Sequence, residues 1–526
     1  MCGIIVSSGG KIGLDKLKKG HRITNRRGPD ASNVVSVDNN VFMFNRLSIM
    51  GLSMNGMQPF YFKGNTLVAN AEIYNYKQIK EALKSKHDFI SESDCEVLLP
   101  LYDEIGVNMF KDLDAEFAIV LYDSTLNTLI AARDPLGIRP LFYGYIKETQ
   151  DIVFSSEVKG IIESVEKVFT FPPGNYYDGK QFIEYSDMYD IKNYIDDSFE
   201  EILLNINKKL TSAIVKRLDS DAEVGYLLSG GLDSSLVCSI AQQKSSAPIK
   251  TFSIGMVGDA IDLKYAKQVS DFLGTNHTEV VITKEDVLSS LEEVIFSLES
   301  YDITTVRASM GMYLLSKYIT ENTNIKVLLT GEVSDELFGY KYTDFAPNPE
   351  EFQKESIKRV SELYMYDVLR ADRCLASNSL EARVPFGDID FASYVLRINP
   401  LFKMNKYRVG KFLLRKAFEG TYLPKDILYR EKAAFSDAVG HSLVDYLKEY
   451  AEKKYSDIEF NERIKEYKDS IPFTKESLLY REIFDNHYPN HSHLIKGYWM
   501  PNKEWENCDV DDPSARVLSN YGESGN

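Results

Sequence analysis

The sequence predicts an α+β domain with antiparallel sheets, followed by an α/β domain with a doubly wound parallel sheet. A chain of 526 residues is too long for a single hydrophobic core. Residues 2–190 contain short β-rich runs with few helical patterns between them, which favours antiparallel sheets. Beyond residue 198, short buried-strand runs alternate with helical patterns, and this alternation is typical of a parallel sheet covered by helices.

The first domain is expected to span residues 2–190. Two helices are predicted within it, over about residues 73–83 and 94–105. Its clearest strands are predicted over residues 3–8, 41–49, 116–122 and 128–132. A polar stretch near residues 185–197, rich in Asp and Tyr, indicates a linker.

The second domain is expected to span residues 198–526. Ser198 is followed three residues later by Glu201, which has the form of a capping box and predicts the start of a helix. Apolar residues then recur at helical spacing, at Leu203, Ile206, Leu210 and Ala213. Buried strands are predicted over residues 224–228, 249–254, 279–282 and 325–329. From about residue 367 onward the pattern is mostly helical.

Composition and charge exclude several classes of function. A net charge of −17 argues against a nucleic-acid partner, because binding along a phosphate backbone needs a clustered basic face. The chain has no apolar run of about 18 residues, so no membrane span is expected. Its N-terminus lacks the features of a secretory signal, and its five cysteines form no C-x-x-C pair. A cytoplasmic protein without disulfides is therefore expected.

Cys2 is the first candidate for chemistry. Because Cys2 is a small residue, an aminopeptidase is expected to remove Met1 and expose Cys2 as the N-terminal residue. A thiol beside a free α-amine has a general base built in, since the unperturbed pKa of that amine is about 8. Taken alone, a cysteine here is equally compatible with chance. However, it is followed by four polar motifs, at residues 25–30, 45–49, 70–75 and 93–96.

Together these motifs resemble the glutaminase domain of class II glutamine amidotransferases, which are N-terminal nucleophile hydrolases. The resemblance implies that Cys2 attacks the glutamine side-chain amide, and that the Asn70 side chain and the Ala71 backbone N–H stabilise the oxyanion. Arg46 would clamp the substrate α-carboxylate, and Glu72 and Asp94 would face its ammonium and amide ends. The residues implied to bind glutamine are Arg46, Leu47, Ser48, Ile49, Met50, Asn70, Ala71, Glu72 and Asp94.

Ala71 and Phe44 depart from the pattern of that family. They stand where glycine and histidine are usual, and neither change removes a required group. Ala71 keeps its backbone N–H, although alanine does not adopt a positive φ cheaply.

A glycine-rich loop over residues 229–235, Ser-Gly-Gly-Leu-Asp-Ser-Ser, follows a predicted strand and opens a helix. Paired glycines let backbone N–H groups approach phosphate oxygens, and the helix N-terminus adds partial positive charge. No G-x-x-x-x-G-K-[ST] loop occurs, which disfavours a kinase. The loop resembles that of the PP-loop ATP pyrophosphatases, which implies AMP and pyrophosphate as products.

A second acidic element, with Glu332 and Asp335, follows the predicted strand at residues 325–329. Ligands of doubly wound sheets bind at the carboxyl ends of the strands, where this element and the glycine-rich loop would both lie. With residues 301–309, 380–386, 431–437 and 512–514, these segments resemble the glutamine-dependent asparagine synthetases of the bacterial B type over nearly the whole chain.

That resemblance implies ATP as a substrate and Mg²⁺ as a cofactor. Asp233 and Asp335 would hold the Mg²⁺, and Glu332 would act as the base during amidation. Thr304, Thr305 and Arg307 would shape the acyl-adenylate pocket. The residues implied to bind ATP are Leu227, Ser229, Gly230, Gly231, Asp233, Ser234, Ser235, Ile254, Thr330, Gly331 and Lys432. Val333 and Tyr340 stand where glycine is common in the family.

The implied reaction converts aspartate, glutamine, ATP and water into asparagine, glutamate, AMP and diphosphate. It would proceed through β-aspartyl-AMP and through ammonia released inside the protein. The implied partners are therefore small molecules, and the oligomeric state stays open, with a homodimer among the assemblies to consider. Two alternatives remain at this point. One keeps both half-reactions with another carboxylic acid acceptor, and the other is an inactive protein that senses glutamine or nucleotide.

Overall fold

The computed structural model describes residues 1–10, 13–258, 260–405, 409–431 and 439–521. Among these described residues, the helices of the first part of the chain are α1 (Leu14–Ile23), α2 (Tyr76–Leu83), α3 (Leu98–Ile105) and α4 (Met109–Asp112). Its strands are β1 (Gly3–Ser7), β2 (Ala31–Val37), β3 (Asn40–Arg46), β4 (Phe60–Phe62), β5 (Asn65–Ile73), β6 (Ala115–Asp123), β7 (Thr128–Arg133), β8 (Phe142–Ile146), β9 (Ile152–Ser155), β10 (Val165–Thr170), β11 (Asn175–Tyr177) and β12 (Phe182–Glu184).

These strands form two six-stranded antiparallel sheets, in the orders β10-β8-β9-β1-β3-β2 and β12-β11-β7-β6-β5-β4. The sheets share one core, where Val6 and Phe42 of the first meet Val68 of the second. Helix α1 covers the outer face of the first sheet through Leu17, and α3 covers the outer face of the second through Leu98. The predicted α+β domain with antiparallel sheets is confirmed.

The second part begins with α5 (Phe199–Lys216), whose N-terminus is the predicted capping box of Ser198 and Glu201. Its strands are β13 (Val224–Leu227), β14 (Lys250–Met256), β15 (Asn276–Ile282), β16 (Val327–Leu329) and β17 (Glu381–Arg383). The helices between and after them are α6 (Leu232–Lys244), α7 (Ile261–Leu273), α8 (Lys284–Leu298), α9 (Ile303–Asn322), α10 (Ser334–Phe338), α11 (Pro349–Glu362), α12 (Asp367–Ala376), α13 (Ile389–Arg397), α14 (Pro400–Lys403), α15 (Phe412–Ala417) and α16 (Lys425–Leu428). Three more helices span His441–Lys454, Asp457–Arg463 and Lys475–His487.

All neighbouring strands of this sheet are parallel, in the order β15-β14-β13-β16-β17. Helices cover both faces, as the sequence predicts. One face packs Ile254 against Val294 of α8, and the other packs Leu329 against Leu236 of α6. The chain runs outward from β13 to β15 and then resumes on the other side with β16. The carboxyl ends of β13 and β16 therefore flank the switch point, where such sheets bind ligands.

Several predicted boundaries shift by a few residues. The strand predicted over residues 41–49 ends at Arg46, and the helix predicted from residue 73 begins at Tyr76. The second shift occurs because β5 continues to Ile73, which pairs with Ala115 of β6. In the part of the chain that the structure describes, no helix combines the length and apolar character needed to cross a bilayer.

Two candidate active sites

Cys2 lies immediately before β1, between β5 and the loop that follows β3. Its backbone nitrogen donates to Asn70 Oδ1 at 2.9 Å, and its thiol lies 3.8 Å from the carbonyl oxygen of Leu47. Burial raises the pKa of the Cys2 thiol above its ordinary value. The proposed nucleophile is thus held by two of the sequence segments that are implied to bind glutamine.

Asn70 supplies the donor that the predicted oxyanion site needs. Its side chain is 1% exposed, and its oxygen is occupied by the Cys2 N–H. The amide nitrogen Nδ2 is buried and finds no hydrogen-bond partner among the described residues. An unsatisfied buried donor costs on the order of 1–3 kcal/mol, so one beside a nucleophile is a candidate for binding substrate.

The charged residues of this site differ in how they are held. Arg46 donates to the carbonyl oxygen of Ser53 at 2.7 Å and also to that of Gly51. Asp94 accepts from the Ile73 N–H at 2.7 Å, and burial raises the pKa of its carboxyl to about 6. Glu72 pairs with Arg383 of β17 at 2.8 Å, so the second part of the chain reaches into this site.

The glycine-rich loop connects β13 to α6, as predicted. Ser234 Oγ accepts from the Ser229 N–H at 3.2 Å, and Ser229 Oγ accepts from the Gly231 N–H at 3.3 Å. Gly230 has φ +72°, and a Cβ there would lie 2.5 Å from the Ala266 nitrogen. Only glycine fits at that position without moving α7.

A cavity of about 640 Å³ opens at the carboxyl ends of β13 and β16. That volume lies within the usual range of small-molecule sites. The predicted residues on its wall are Leu227, Ser229, Gly231, Asp233, Ser234, Ile254, Thr304, Arg307, Thr330, Gly331, Glu332 and Asp335. Gly230, Ser235 and Thr305 are not among its described lining residues. Lys432 lies outside the described residues.

Asp233 and Asp335 converge on one cation, the ammonium group of Lys411. Lys411 Nζ lies 2.8 Å from both carboxylate oxygens of Asp233 and 2.7 Å from Asp335 Oδ1. It also donates to Ser334 Oγ at 3.0 Å. Carboxylate oxygens are the ligands that Mg²⁺ prefers. The Lys411 ammonium group lies where one cation balances the charges of both carboxylates. The two aspartates therefore fit the predicted metal site.

Two predicted charged residues of the cavity, Glu332 and Arg307, form ion pairs. Glu332 pairs with Arg370 of α12. Arg307 contacts Glu476 at 2.6 and 2.8 Å and Asp512 at 3.0 Å, so its guanidinium group is surrounded by carboxylates. Thr304 Oγ1, in contrast, is buried without a hydrogen-bond partner among the described residues.

The three positions where glycine is usual behave differently. Ala71 lies within β5 and Tyr340 has φ −119°, so neither needs a glycine. Val333 has φ +78° and is 1% exposed, which places a β-branched residue in the left-handed region. That conformation is strained.

Sequence reasoning missed Lys411, Arg370 and Asp372, which no motif marks. Arg383 lies within the quoted segment 380–386, so a signal for it existed. Beside it, Glu381 lies 3.5 Å from Arg139, which also pairs with Glu116 at 3.1 Å. These buried charges line the contact between the two sheet systems.

Known protein families match both parts of the chain. Residues 1–172 match the profile of a glutamine amidotransferase domain, and residues 205–348 and 342–511 match that of asparagine synthase. The fold and the sites thus define a glutamine amidotransferase domain joined to a synthetase domain. The chain belongs to the asparagine synthase family.

Similar proteins cover nearly the whole chain. A probable glutamine-hydrolyzing asparagine synthetase of Acanthamoeba polyphaga mimivirus is 41% identical, over 98% of this chain and 100% of its own length. One from Dictyostelium discoideum is 40% identical over 98% of each chain. The glutamine-hydrolyzing asparagine synthetase of Homo sapiens is 39% identical over 94% of each. These relatives are viral and eukaryotic, so the bacterial B type stays a prediction.

Among solved structures, glutamine phosphoribosylpyrophosphate amidotransferase from B. subtilis is 18% identical, covering 43% of this chain and 61% of its own. The TM-score of this comparison is 0.31.

Proposed function

We propose that the protein is a glutamine-hydrolysing asparagine synthetase. It converts aspartate, glutamine, ATP and water into asparagine, glutamate, AMP and diphosphate. The observation that carries the proposal is the presence, in one chain, of a cysteine site beside an unpaired amide donor and of a cavity between a phosphate loop and an acidic loop. Relatives carrying that name match both parts at about 40% identity.

In the first half-reaction, Cys2 attacks the side-chain amide of glutamine. Asn70 Nδ2 and the Ala71 N–H donate to the oxyanion, and the buried, unpaired state of Nδ2 supports that role. Arg46 binds the α-carboxylate, and Asp94 binds the α-ammonium as a carboxylate. Leu47, Ser48, Ile49 and Met50 follow Arg46 in the sequence and complete the proposed glutamine-binding segment. Removal of Met1 gives Cys2 its general base.

In the second half-reaction, aspartate attacks the α-phosphate of ATP and pyrophosphate leaves. The phosphate loop binds the pyrophosphate, while Leu227 and Ile254 contact the adenine. Asp233 and Asp335 hold Mg²⁺, which neutralises phosphate charge when bound. Lys411 then contributes a cation beside the same phosphates, as we propose for Lys432.

In the final step, ammonia attacks the β-acyl carbon of β-aspartyl-AMP, and AMP leaves. Glu332 accepts the proton, and its pairing with Arg370 keeps its carboxylate oriented on the cavity wall. Thr304 presents an unpaired hydroxyl to the acyl-adenylate, with Thr305 and Arg307 supporting the pocket around it. Ammonia has to travel inside the protein, because ammonium is not a nucleophile.

The proposal also divides the chain into a glutaminase domain, residues 2–190, and a synthetase domain, residues 198–526. It places the enzyme in the cytoplasm with small-molecule substrates, and it leaves the oligomeric state open, with a homodimer as one assembly to test.

The test is ATP-dependent pyrophosphate release with a panel of carboxylic acids, under saturating ATP and Mg²⁺. Aspartate should give the fastest release, with AMP as the nucleotide product. Glutamate carries one extra methylene, which by itself discriminates by about 1–3 kcal/mol. It should react more slowly still, because its reacting carboxyl is displaced from the α-phosphate. Faster release with a peptide or a sugar acid, or stoichiometric ADP, would overturn the assignment.

A further inference from the structure

We propose that Asp372, a residue of the synthetase half, positions the Cys2 nucleophile of the glutaminase half. The inference rests on the proposed function, because it assigns a positioning residue to the glutaminase reaction. Asp372 is a buried residue of α12, the helix that also carries Arg370 and Arg373. No sequence motif connects it with glutamine hydrolysis.

The connection runs through Arg27. Its Nε donates to the carbonyl oxygen of Cys2 at 3.0 Å. Its other two nitrogens donate to the two carboxylate oxygens of Asp372, at 2.7 and 3.0 Å. Arg27 is 1% exposed and Asp372 is 3% exposed. The carboxylate therefore holds the guanidinium fork from one side while Cys2 occupies its remaining edge.

Bidentate pairing is what gives Arg27 a defined orientation. Two parallel hydrogen bonds to one carboxylate fix the plane of the guanidinium group, which a single bond does not. Glu157 also accepts from Arg27, at 2.9 Å. Without the Asp372 carboxylate, Glu157 is the remaining anion against the group, so the fork would turn toward it. The Nε–H would then lose its alignment with the Cys2 carbonyl.

The neighbouring residue of α12 holds the next part of the same strand. Arg373 donates to the carbonyl oxygen of Ser156 at 3.1 Å, and Ser156 Oγ accepts from the Ile4 N–H at 3.0 Å. Two adjacent residues of one buried helix thus fix the chain on both sides of Gly3. Because glycine has little conformational preference of its own, these contacts act together with the hydrogen bond from the Cys2 N–H to Asn70 to fix where the Cys2 thiol lies.

The same helix carries Arg370, which pairs with Glu332 on the wall of the nucleotide cavity. Helix α12 therefore contacts residues of both active sites. Asp372 does not itself contact the reacting atoms, so its role is to position Cys2 through Arg27.

The experiment measures Asp372→Asn in the full-length enzyme. The glutaminase kcat should fall on the order of 10- to 100-fold, because misplacing a nucleophile by about 1 Å costs that much. The KM for glutamine should change little, since none of the substrate-binding groups is altered. Alkylation of Cys2 by a glutamine analogue with an electrophilic side chain should slow in parallel. Ammonia-dependent asparagine synthesis should stay at the wild-type rate, which also reports that the variant is folded.

Arg27→Lys provides a second variant in which all buried charges stay balanced. A lysine ammonium is a point charge that does not reproduce the fork, so the same selective loss of glutaminase is expected. The matched control is Asp388→Asn. Asp388 is also a buried aspartate paired with an arginine, Arg217, at 2.9 Å, but it makes no hydrogen bond or ion pair to Arg27 or Cys2 among the described contacts.

The control should lose stability and keep its glutaminase rate. A wild-type glutaminase rate in Asp372→Asn or in Arg27→Lys would overturn the proposal. An equal loss in Asp388→Asn would also overturn it, since the effect would then be general damage to the interface. Failure of the proposed function is distinguishable, because wild-type enzyme would then hydrolyse no glutamine at all.

Discussion

The two sites differ in how their acidic groups are held. Around Cys2, Asp94 accepts from the backbone N–H of Ile73, and Glu72 pairs with Arg383. Around the cavity, the acidic groups are held by cations, as Lys411 holds Asp233 and Asp335 and as Arg370 holds Glu332. Asn70 and Asp94 are buried beside Cys2, whereas the residues of the second site line a cavity of about 640 Å³.

The difference follows from what each site has to bind. Glutamine is zwitterionic and small, so fixed neutral donors and single charges suffice for it. ATP brings several negative charges, and the acidic residues beside it need a cation between them whether or not substrate is present. Without a neighbouring cation, the pKa of a buried carboxyl group would rise or its charge would destabilise the fold.

The largest expected effect separates the sites completely. Cys2→Ala should lower glutamine-dependent synthesis on the order of 10⁴-fold or more, because the nucleophile is lost. Ammonia-dependent synthesis should persist, since the nucleotide cavity needs only a source of nitrogen. Both rates are measured as asparagine formation. Equal loss of both rates in a folded variant would contradict the existence of two independent sites.

Lys411→Ala tests whether the second site needs the lysine cation between Asp233 and Asp335. Synthesis from glutamine and from ammonia should both fall about 10²- to 10³-fold, as for loss of one preorganised donor to developing charge. Glutaminase activity without ATP should remain.

The same variant has a readout that does not depend on activity. Two carboxylates lose their shared cation, so the melting temperature should fall, and Mg²⁺ should raise it more than in wild type. Lys403→Met removes another buried lysine, one that donates to Gln353 and to the Val395 carbonyl. It should show no such added response to Mg²⁺; an equal response would argue against Lys411 standing at the cation site.

The pH dependence of the first site should reveal Asp94. Burial raises the pKa of its carboxyl from 3.8 to about 6, so the carboxylate form prevails only above that pH. Below pH 6, kcat/KM for glutamine should fall about tenfold per pH unit, because binding the α-ammonium needs the charged form. Ammonia-dependent synthesis, compared at constant free ammonia, should lack this limb. Asp94→Asn should remove the limb along with most of the affinity, and an unchanged acid limb would disprove the assignment.

The smallest expected effects compare two of the three positions where glycine is usual. Ala71→Gly should lower stability by about 0.5–1 kcal/mol, because Ala71 lies in a strand and gains nothing from glycine. Val333→Gly should change stability by about 1 kcal/mol or less, since relief of ~1–3 kcal/mol of strain offsets a similar loss of buried apolar surface. Denaturant midpoints measure both. A large loss for Val333→Gly would mean that its φ of +78° stores little strain.

The fold class and the site motifs were readable because they are local. The strand end, the glycines and the acidic residue of the glycine-rich loop lie at a few consecutive positions. The capping box that begins at Ser198 spans only four residues. Alternating strand and helix patterns likewise predict the parallel sheet. The ends of helices and strands depend on contacts that are distant in sequence. The end of β5, for example, is set by pairing with β6 rather than by its own residues.

What only the tertiary structure decided is which charges balance which. Lys411 meets Asp233 across 178 positions of sequence, and Arg27 meets Asp372 across 345. The sequence shows 61 basic and 78 acidic residues without showing which of them become buried. Burial is settled by packing of the whole chain, and it is burial that turns a weak, screened attraction into a contact that positions a catalytic group.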